Sequence, residues 1–168
     1  MNLTARDLMT APVVTCLETT SVQEALALMR EKQVSGLPVV DGEGRAAGIV
    51  SQNDILKGIA FAHGPGSPGS FMEAFQADRR KATMVMLEVV LEKGRALAVE
   101  RYLSQPISDV MTRDLIACSP TTHVADVCAT AARHRVHRVV VLDPEGKVAG
   151  IISTLDLVAK VAEVARRG

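Results

Sequence analysis

The sequence predicts an α+β fold in which tandem repeats of one unit flank an inserted helix. The chain has 168 residues, enough to bury a core of ordinary size. Its stretch 7–56 recurs 102 residues further on, and 18 of the 50 aligned pairs are identical, which chance does not give. Because both copies carry the same order of local signals, we place repeat 1 at 1–62, a flexible loop and inserted helix at 63–104, and repeat 2 at 105–168.

The first copy predicts one helix, then a hairpin, then a second helix. The letters SVQE at 21–24 form a capping box, and apolar residues follow at helical spacing. Residues 37–40 and 47–50 are short apolar runs separated by the turn letters DGEG, which indicates a hairpin. The letters SQND at 51–54 open the second helix. With a short strand in front, each copy is strand, helix, strand, strand, helix, preceded by a helical lead-in.

The second copy predicts the same elements in the same order. A helix starts at Val124, strands are expected at 139–142 and 148–152 around the turn 143–146, and a last helix starts at Thr154. One copy alone cannot cover both faces of its three-stranded sheet. We therefore expect the two copies to pack sheet to sheet about a pseudo-twofold axis.

The stretch between the copies is not explained by the repeat. Residues 63–70 are rich in Gly, Pro and Ser and predict a flexible loop. Residues 71–102 are expected to be helical, with apolar positions at Met84, Leu87 and Val90.

Composition excludes several classes of protein. Basic and acidic residues balance at 19 each and only 2% of residues are aromatic, which opposes nucleic-acid binding. No apolar run is long enough for a membrane helix, and no signal peptide precedes the first copy, so we expect a cytoplasmic protein without membrane contact. No catalytic triad, metal-ligand spacing or phosphate loop is present, so we expect no enzyme activity and no metal. Cys16 and Cys118, at matching places after a strand, fit small buried hydrophobes.

The combined motifs resemble a known family. The first copy reads DLMT at 7–10, VSGLPVVD at 34–41 and GIVSxxD at 48–54, and the second reads DVMT, VHRVVVLD and GIISxxD at the matching places. This order is similar to the cystathionine-β-synthase-type (CBS) domain, and the tandem arrangement resembles a stand-alone CBS pair, or Bateman module. The resemblance implies a cleft between the copies that binds AMP, ATP or S-adenosylmethionine, with no required cofactor.

The resemblance also implies two ligand sites, each drawing its strand edge from one copy and its Ser-x-x-Asp from the other. Site A has Thr10, Val14, Val34, Ser35, Gly36, Ser153 and Asp156, and site B has Thr112, Ile116, Val136, His137, Arg138, Ser51 and Asp54. The carboxylate would accept hydrogen bonds from both ribose hydroxyls. The Ser hydroxyl and the N–H groups at the helix N-terminus would face a phosphate. Ser35-Gly36 leaves room for a base, so site A is favoured.

Each assignment has a plainer alternative. Ser-x-x-Asp is also what an ordinary helix start prefers. Arg138 can pair with phosphate, or it can be a solvated surface charge. At the level of function, the first hypothesis is a regulatory module that senses adenine nucleotides, acts on an unknown effector protein and forms a homodimer. The alternative is an interaction scaffold with a vestigial cleft, in which a Met-rich middle helix docks a partner through Met72, Met84 and Met86.

Overall fold

The computed structural model describes residues 3–62 and 97–166. The first copy contains β1 (Cys16–Leu17), α1 (Val22–Glu31), β2 (Gly36–Val40), β3 (Ala46–Ser51) and α2 (Gln52–Ala62). Helix α3 (Leu97–Leu103) lies in the segment between the copies, and the second copy contains β4 (Ala117–Cys118), α4 (Val124–His134), β5 (Arg138–Leu142), β6 (Val148–Ser153) and α5 (Thr154–Ala165). The predicted strand–helix–strand–strand–helix order is therefore confirmed in both copies. The predicted loop 63–70 and most of the inserted helix 71–102 lie outside the described residues.

The strands form two three-stranded sheets, in the orders β1-β2-β3 and β4-β5-β6. In the second sheet β4 runs parallel to β5, and β5 runs antiparallel to β6 with Arg138 opposite Ser153 and Val140 opposite Ile151. The helix between β4 and β5 makes their parallel pairing possible, because a parallel pair needs a long crossover. The mixed α+β fold predicted from the repeat is confirmed.

The first helix of each copy begins at a side-chain cap. Ser21 Oγ accepts the Glu24 N–H (3.2 Å), and Glu24 Oε2 accepts the Ser21 N–H (2.9 Å), which is the predicted capping box. In α4 the cap is His123, whose Nδ1 accepts the Ala125 N–H (3.3 Å). Both helices then bury an apolar face. In α1 that face is Val22, Ala25, Leu26 and Met29.

An aspartate organises each hairpin turn. Asp41 Oδ1 accepts the N–H groups of Glu43 and Arg45, both at 2.9 Å, and Asp143 Oδ1 does the same for Glu145 and Lys147. The last turn residue is glycine in both copies because its φ is near +80°, a conformation that other residues adopt at a cost. The turn letters in the sequence thus predicted the hairpins correctly.

Packing divides the chain into two compact units that do not follow the repeat. Unit 1 comprises Met1–Thr15, Pro38–Gly48 and Thr112–Gly168, and unit 2 comprises Cys16–Leu37 and Ile49–Met111. In unit 1, Ala5, Val127, Val139, Val141 and Ile152 form an aliphatic core between α4 and the sheet. In unit 2, helices α1 and α2 pack against α3.

The lead-in of each copy packs on the other copy, which explains why the units interleave. In unit 1, the Ala5 N–H donates to the Thr122 carbonyl (2.8 Å), and the Val124 N–H donates to the Leu3 carbonyl (3.0 Å). In unit 2, the Val22 N–H donates to the Gln105 carbonyl (2.9 Å). The start of each first helix is therefore tied to the lead-in of the opposite copy.

The cysteines differ in one respect from the sequence-based expectation. Cys16 and Cys118 lie within the short strands β1 and β4, not after a strand. Cys16 is buried, as expected of a small hydrophobe, and Cys118 is half-buried. Burial raises the pKa of the Cys16 thiol to about 11, so this thiol stays protonated at neutral pH.

Candidate functional site

The two Ser-x-x-Asp motifs form closely similar turns at the start of α2 and α5. Asp156 Oδ2 accepts the Ser153 N–H (2.7 Å) and the Ser153 hydroxyl (2.6 Å), and Ser153 Oγ accepts the Asp156 N–H (3.3 Å). Ser51 and Asp54 repeat this geometry at 2.9, 2.6 and 3.3 Å. One carboxylate oxygen closes each cap, and the other oxygen, Oδ1, takes no part in it. All four residues are half-buried.

The backbone at these helix starts is largely occupied within the protein. The Thr154 N–H donates to the His137 carbonyl (3.1 Å), and the Gln52 N–H donates to the Ser35 carbonyl (3.2 Å). The N–H of each motif aspartate is bound by its serine hydroxyl. Two of the first three helical N–H groups are thus taken in both helices. The expectation that helix N–H groups face a phosphate is corrected accordingly, and side chains remain as the main donors.

In unit 1, four polar and apolar residues share one face of the second sheet. Thr10 and Ile151 exchange backbone hydrogen bonds of 2.9 and 3.2 Å, so the lead-in extends the sheet beyond β6. Ile151 and Ser153 are two residues apart on β6, and Arg138 lies opposite Ser153 on β5. Directly opposed residues and residues two apart point to the same face. Thr10, Ile151, Ser153 and Arg138 therefore lie on one face, opposite the core face that holds Ile152.

A methionine explains why Met-Thr and Gly-Ile recur together in the sequence. The half-buried Met9 lies directly on Gly150, where any added Cβ would overlap its side chain. Met9 and Gly150 directly precede Thr10 and Ile151, which form an antiparallel bridge. Glycine at position 150 lets the lead-in approach β6 closely and so brings Thr10 to the Ser153 side of the sheet.

The remaining predicted residues are divided between the two units. Unit 1 also contains Val14, Thr112, Ile116, Val136, His137 and Asp156, and unit 2 contains Val34, Ser35, Gly36, Ser51 and Asp54. Within site A, the structure thus groups Thr10, Val14, Ser153 and Asp156. Within site B, it groups the strand-edge residues in one unit and Ser51 with Asp54 in the other.

Two of the predicted lining residues also have a structural role. Ile116 and Val136 are half-buried and pack against the core of unit 1. The Ile116 carbonyl accepts the Val140 N–H (3.1 Å), which joins the approach to β4 with β5. Packing alone accounts for an aliphatic residue at these positions. Thr10, Thr112, Ser35 and His137 are exposed, and Arg138 is half-buried.

Sequence reasoning missed two features near the motifs. It placed Arg138 only in the site with Ser51, although Arg138 lies across from Ser153 of its own copy. In both copies the Ser-x-x-Asp motif follows the start of the hairpin at the same distance in sequence. This regularity could have indicated that Arg138 lies near the serine of its own copy. It also missed Tyr102, which contacts α2 one residue after Asp54. A single tyrosine in an aromatic-poor chain was the available signal.

Two other kinds of feature are absent from residues 3–62 and 97–166. Those residues hold no cluster of His, Cys, Asp or Glu that could bind a metal ion. No helix among them has the length and apolar character to span a bilayer.

The profile of the CBS domain matches residues 5–60 and 107–163, which together cover most of the chain and coincide with its two copies. The chain belongs to the CBS domain family. The family resemblance inferred from the motifs is confirmed.

Curated relatives of this CBS protein cover it almost completely. The uncharacterized protein MJ1426 of Methanocaldococcus jannaschii is 28% identical, over 91% of this chain and 88% of its own length. The chloroplastic CBS domain-containing protein CBSX1 of Arabidopsis thaliana is 26% identical, over 89% of this chain and 59% of its own length. Inosine-5′-monophosphate dehydrogenase of Nitrosopumilus maritimus is 26% identical over 82% of this chain, which spans only 20% of that enzyme.

Solved structures show the same fold. The CBS domain pair of MJ0100, in complex with 5′-methylthioadenosine and S-adenosyl-L-methionine, has a TM-score of 0.67 at 18% identity, covering 97% of this chain and 98% of that one. CBSX2 in complex with AMP has a TM-score of 0.65 at 23% identity, covering 96% and 98%. This CBS protein therefore has the fold of a CBS domain pair.

Proposed function

We propose that this CBS protein is a regulatory module that binds an adenosine-containing ligand, AMP, ATP or S-adenosylmethionine, and signals its presence to a partner protein. The duplicated Ser-x-x-Asp turn is the observation that carries the proposal. In both copies it combines a half-buried carboxylate and a serine hydroxyl at a helix start. Two proteins with this fold are described in complexes with AMP and with S-adenosylmethionine, which supports the same ligand class here.

The ribose is assigned to the motif carboxylates. A ribose offers two neighbouring hydroxyl donors, and each oxygen of an ionised carboxylate can accept two hydrogen bonds. Asp156 keeps Oδ1 outside the cap, and the same is true of Asp54. In unit 1, Thr10 lies on the same sheet face as Ser153 and is exposed. We therefore assign sugar binding in unit 1 to Asp156, with Thr10 and Ser153 beside it. Base binding by Val34, Ser35 and Gly36 stays a prediction of the family resemblance.

The anionic part of the ligand is assigned to the basic stretch 133–138. This stretch holds three arginines and two histidines and no acid, whereas the matching stretch 31–36 pairs Glu31 with Lys32 (2.7 Å). Arg138 lies opposite Ser153, and the His137 carbonyl is bound to the first turn of α5. A guanidinium binds phosphate oxygens in a planar, bidentate way. Phosphate binding is thus proposed for Arg138 and His137.

The regulatory role rests on the same site. The chain aligns with only a fifth of the length of the dehydrogenase. We propose that this CBS protein senses a ligand and does not itself catalyse a reaction. A cytoplasmic location remains a prediction from the sequence.

Calorimetry of nucleotide-stripped protein tests the proposal. We expect AMP, ADP, ATP or S-adenosylmethionine to bind, and inosine monophosphate, which lacks the adenine amino group, to bind more weakly. Because the basic stretch favours anions, the nucleotides are expected to bind more tightly at low salt. The absence of binding heat with every adenosine ligand at millimolar concentration would refute the proposal.

An exposed apolar stripe favours a second proposal, that this chain forms a homodimer through α5. Leu155, Val158 and Val161 are 71, 64 and 68% exposed. Their spacing places them on one face of α5, and an apolar helix face is usually buried. In the first copy the residues matching Val158 and Val161 are Leu56 and Ile59, which are buried on the helix that packs against α3. The comparison indicates that this helix face accepts another helix. A symmetric dimer would supply one by pairing α5 with itself.

Changing Val158 to glutamate is expected to convert the dimer into a monomer, because a charge in a closely packed apolar interface is costly. Light scattering after size-exclusion chromatography measures the mass. Ala129→Glu on α4 is the matched control, since Ala129 is an exposed apolar residue outside the stripe. A wild-type protein that is monomeric at micromolar concentration would contradict the dimer proposal.

A further inference from the structure

We propose that Tyr102 is a positioning residue for the Ser51–Asp54 turn, so that α3 and ligand binding at Asp54 are coupled. The inference rests on the proposed function at Asp54 and adds a residue that the motifs do not contain. Three observations carry it: a hydrogen bond and a glycine that admits the ring, both within unit 2, and an asymmetry between the copies.

The hydrogen bond joins α3 to the first turn of α2. The buried Tyr102 hydroxyl donates to the Ile55 carbonyl (3.0 Å), and Ile55 directly follows Asp54. Ile55 itself is fully buried, so this end of α2 is fixed on both its backbone and its side chain. A shift of α3 would therefore displace Ile55, the residue next to Asp54.

Gly58 allows the tyrosine ring to lie directly on the backbone of α2. A Cβ at position 58 would overlap the Oη, Cζ and Cε2 atoms of Tyr102. A mid-helix glycine costs helix stability, and the close approach of the ring gives a reason for it. Val99 and Leu103 of α3 are buried as well, so Tyr102 is one of several buried residues on this helix.

The charge of Asp54 also acts on Tyr102. Burial raises the pKa of Tyr102 to about 12, and the negative charge of Asp54 adds to the increase. The phenol is therefore a neutral donor at physiological pH. A ligand that hydrogen-bonds to Asp54 would change the field at the Tyr102 ring.

Among the described residues, the second copy has no equivalent of this contact. Lys160 occupies the position that matches Gly58, and it pairs with Glu163 at 2.8 Å. The two caps thus have the same internal geometry but different supports. Within 3–62 and 97–166, only the cap at Asp54 is followed by a residue bound to α3.

Tyrosine NMR provides a direct test, because the chain contains one tyrosine and no tryptophan. Protein labelled with 13C-tyrosine will give one ring signal. Without ligand, Asp54→Asn is expected to shift this signal and Asp156→Asn to leave it in place. AMP is expected to shift it in Asp156→Ala but not in Asp54→Ala. A ring signal that responds equally to both substitutions would overturn the coupling.

A double-mutant cycle with AMP completes the test. Tyr102→Phe keeps the ring on Gly58 and removes the hydroxyl, and we expect AMP affinity to fall by about threefold to tenfold. The same change in an Asp54→Ala background is expected to have no further effect, because Tyr102 acts through Asp54. Equal losses in both backgrounds would overturn the proposal. If the wild type binds no adenosine ligand, the proposed function fails, and the ligand-free NMR comparison still decides the coupling.

Discussion

Changing Asp156 to alanine is expected to weaken AMP binding by about tenfold to a hundredfold, and by more than changing Asp54 to alanine. Hydrogen bonds to a charged acceptor contribute about 1.5–3 kcal/mol, and 1.4 kcal/mol corresponds to tenfold in affinity. Asp156 shares unit 1 with Thr10 and Arg138, which lie on the sheet face of its cap partner Ser153. Calorimetric titration of both variants gives the comparison.

The matched control separates ligand binding from helix capping. Asp156→Ala also removes the cap at the start of α5, which lowers stability whether or not a ligand binds. Glu24 makes the same reciprocal pair of bonds with Ser21 at the start of α1. Glu24→Ala should therefore lower the midpoint of thermal unfolding and leave AMP affinity unchanged. Equal losses of affinity in Asp156→Ala and Asp54→Ala would contradict the predicted asymmetry of the two sites.

Local sequence signals predicted the elements because their causes are local. The capping box at Ser21 and Glu24, the aspartate-glycine turns and the Ser-x-x-Asp caps all involve atoms within four residues of one another. Their geometry follows from side-chain length and backbone conformation alone. The repeat then extended each local prediction to its second copy, which is why both sheets and the helices that follow them were predicted correctly.

The features that sequence reasoning missed depend on distant contacts. Thr10 pairs with Ile151, and Met9 lies on Gly150, across more than a hundred residues of chain. No periodicity encodes such a pairing, since each partner satisfies its own local pattern. The occupation of the Thr154 and Gln52 N–H groups by carbonyls of another loop was hidden for the same reason. The motifs of the candidate site were thus predictable from the sequence. Which backbone N–H groups are already occupied within the protein was not.

Changing Gly58 to alanine is expected to destabilise the protein by about 1–3 kcal/mol, the usual cost of overpacking a core. Helix propensity alone predicts the opposite, a gain approaching 1 kcal/mol from replacing a mid-helix glycine. The sign is decided by Tyr102, because the added Cβ would overlap the far end of its ring, which is held in place by the bond to Ile55. Chemical denaturation with a two-state fit measures the change.

Two further variants show whether the overlap is the cause. Tyr102→Leu removes the ring atoms that the new Cβ would meet, so adding Gly58→Ala to this background should be neutral or stabilising. Gly42→Ala is the control for glycine replacement as such, since a Cβ there meets no atom within 4 Å. It should change stability by less than about 0.5 kcal/mol. A Gly58→Ala protein as stable as the wild type would show that Tyr102 does not lie on α2, which would also remove the structural basis for its coupling to Asp54.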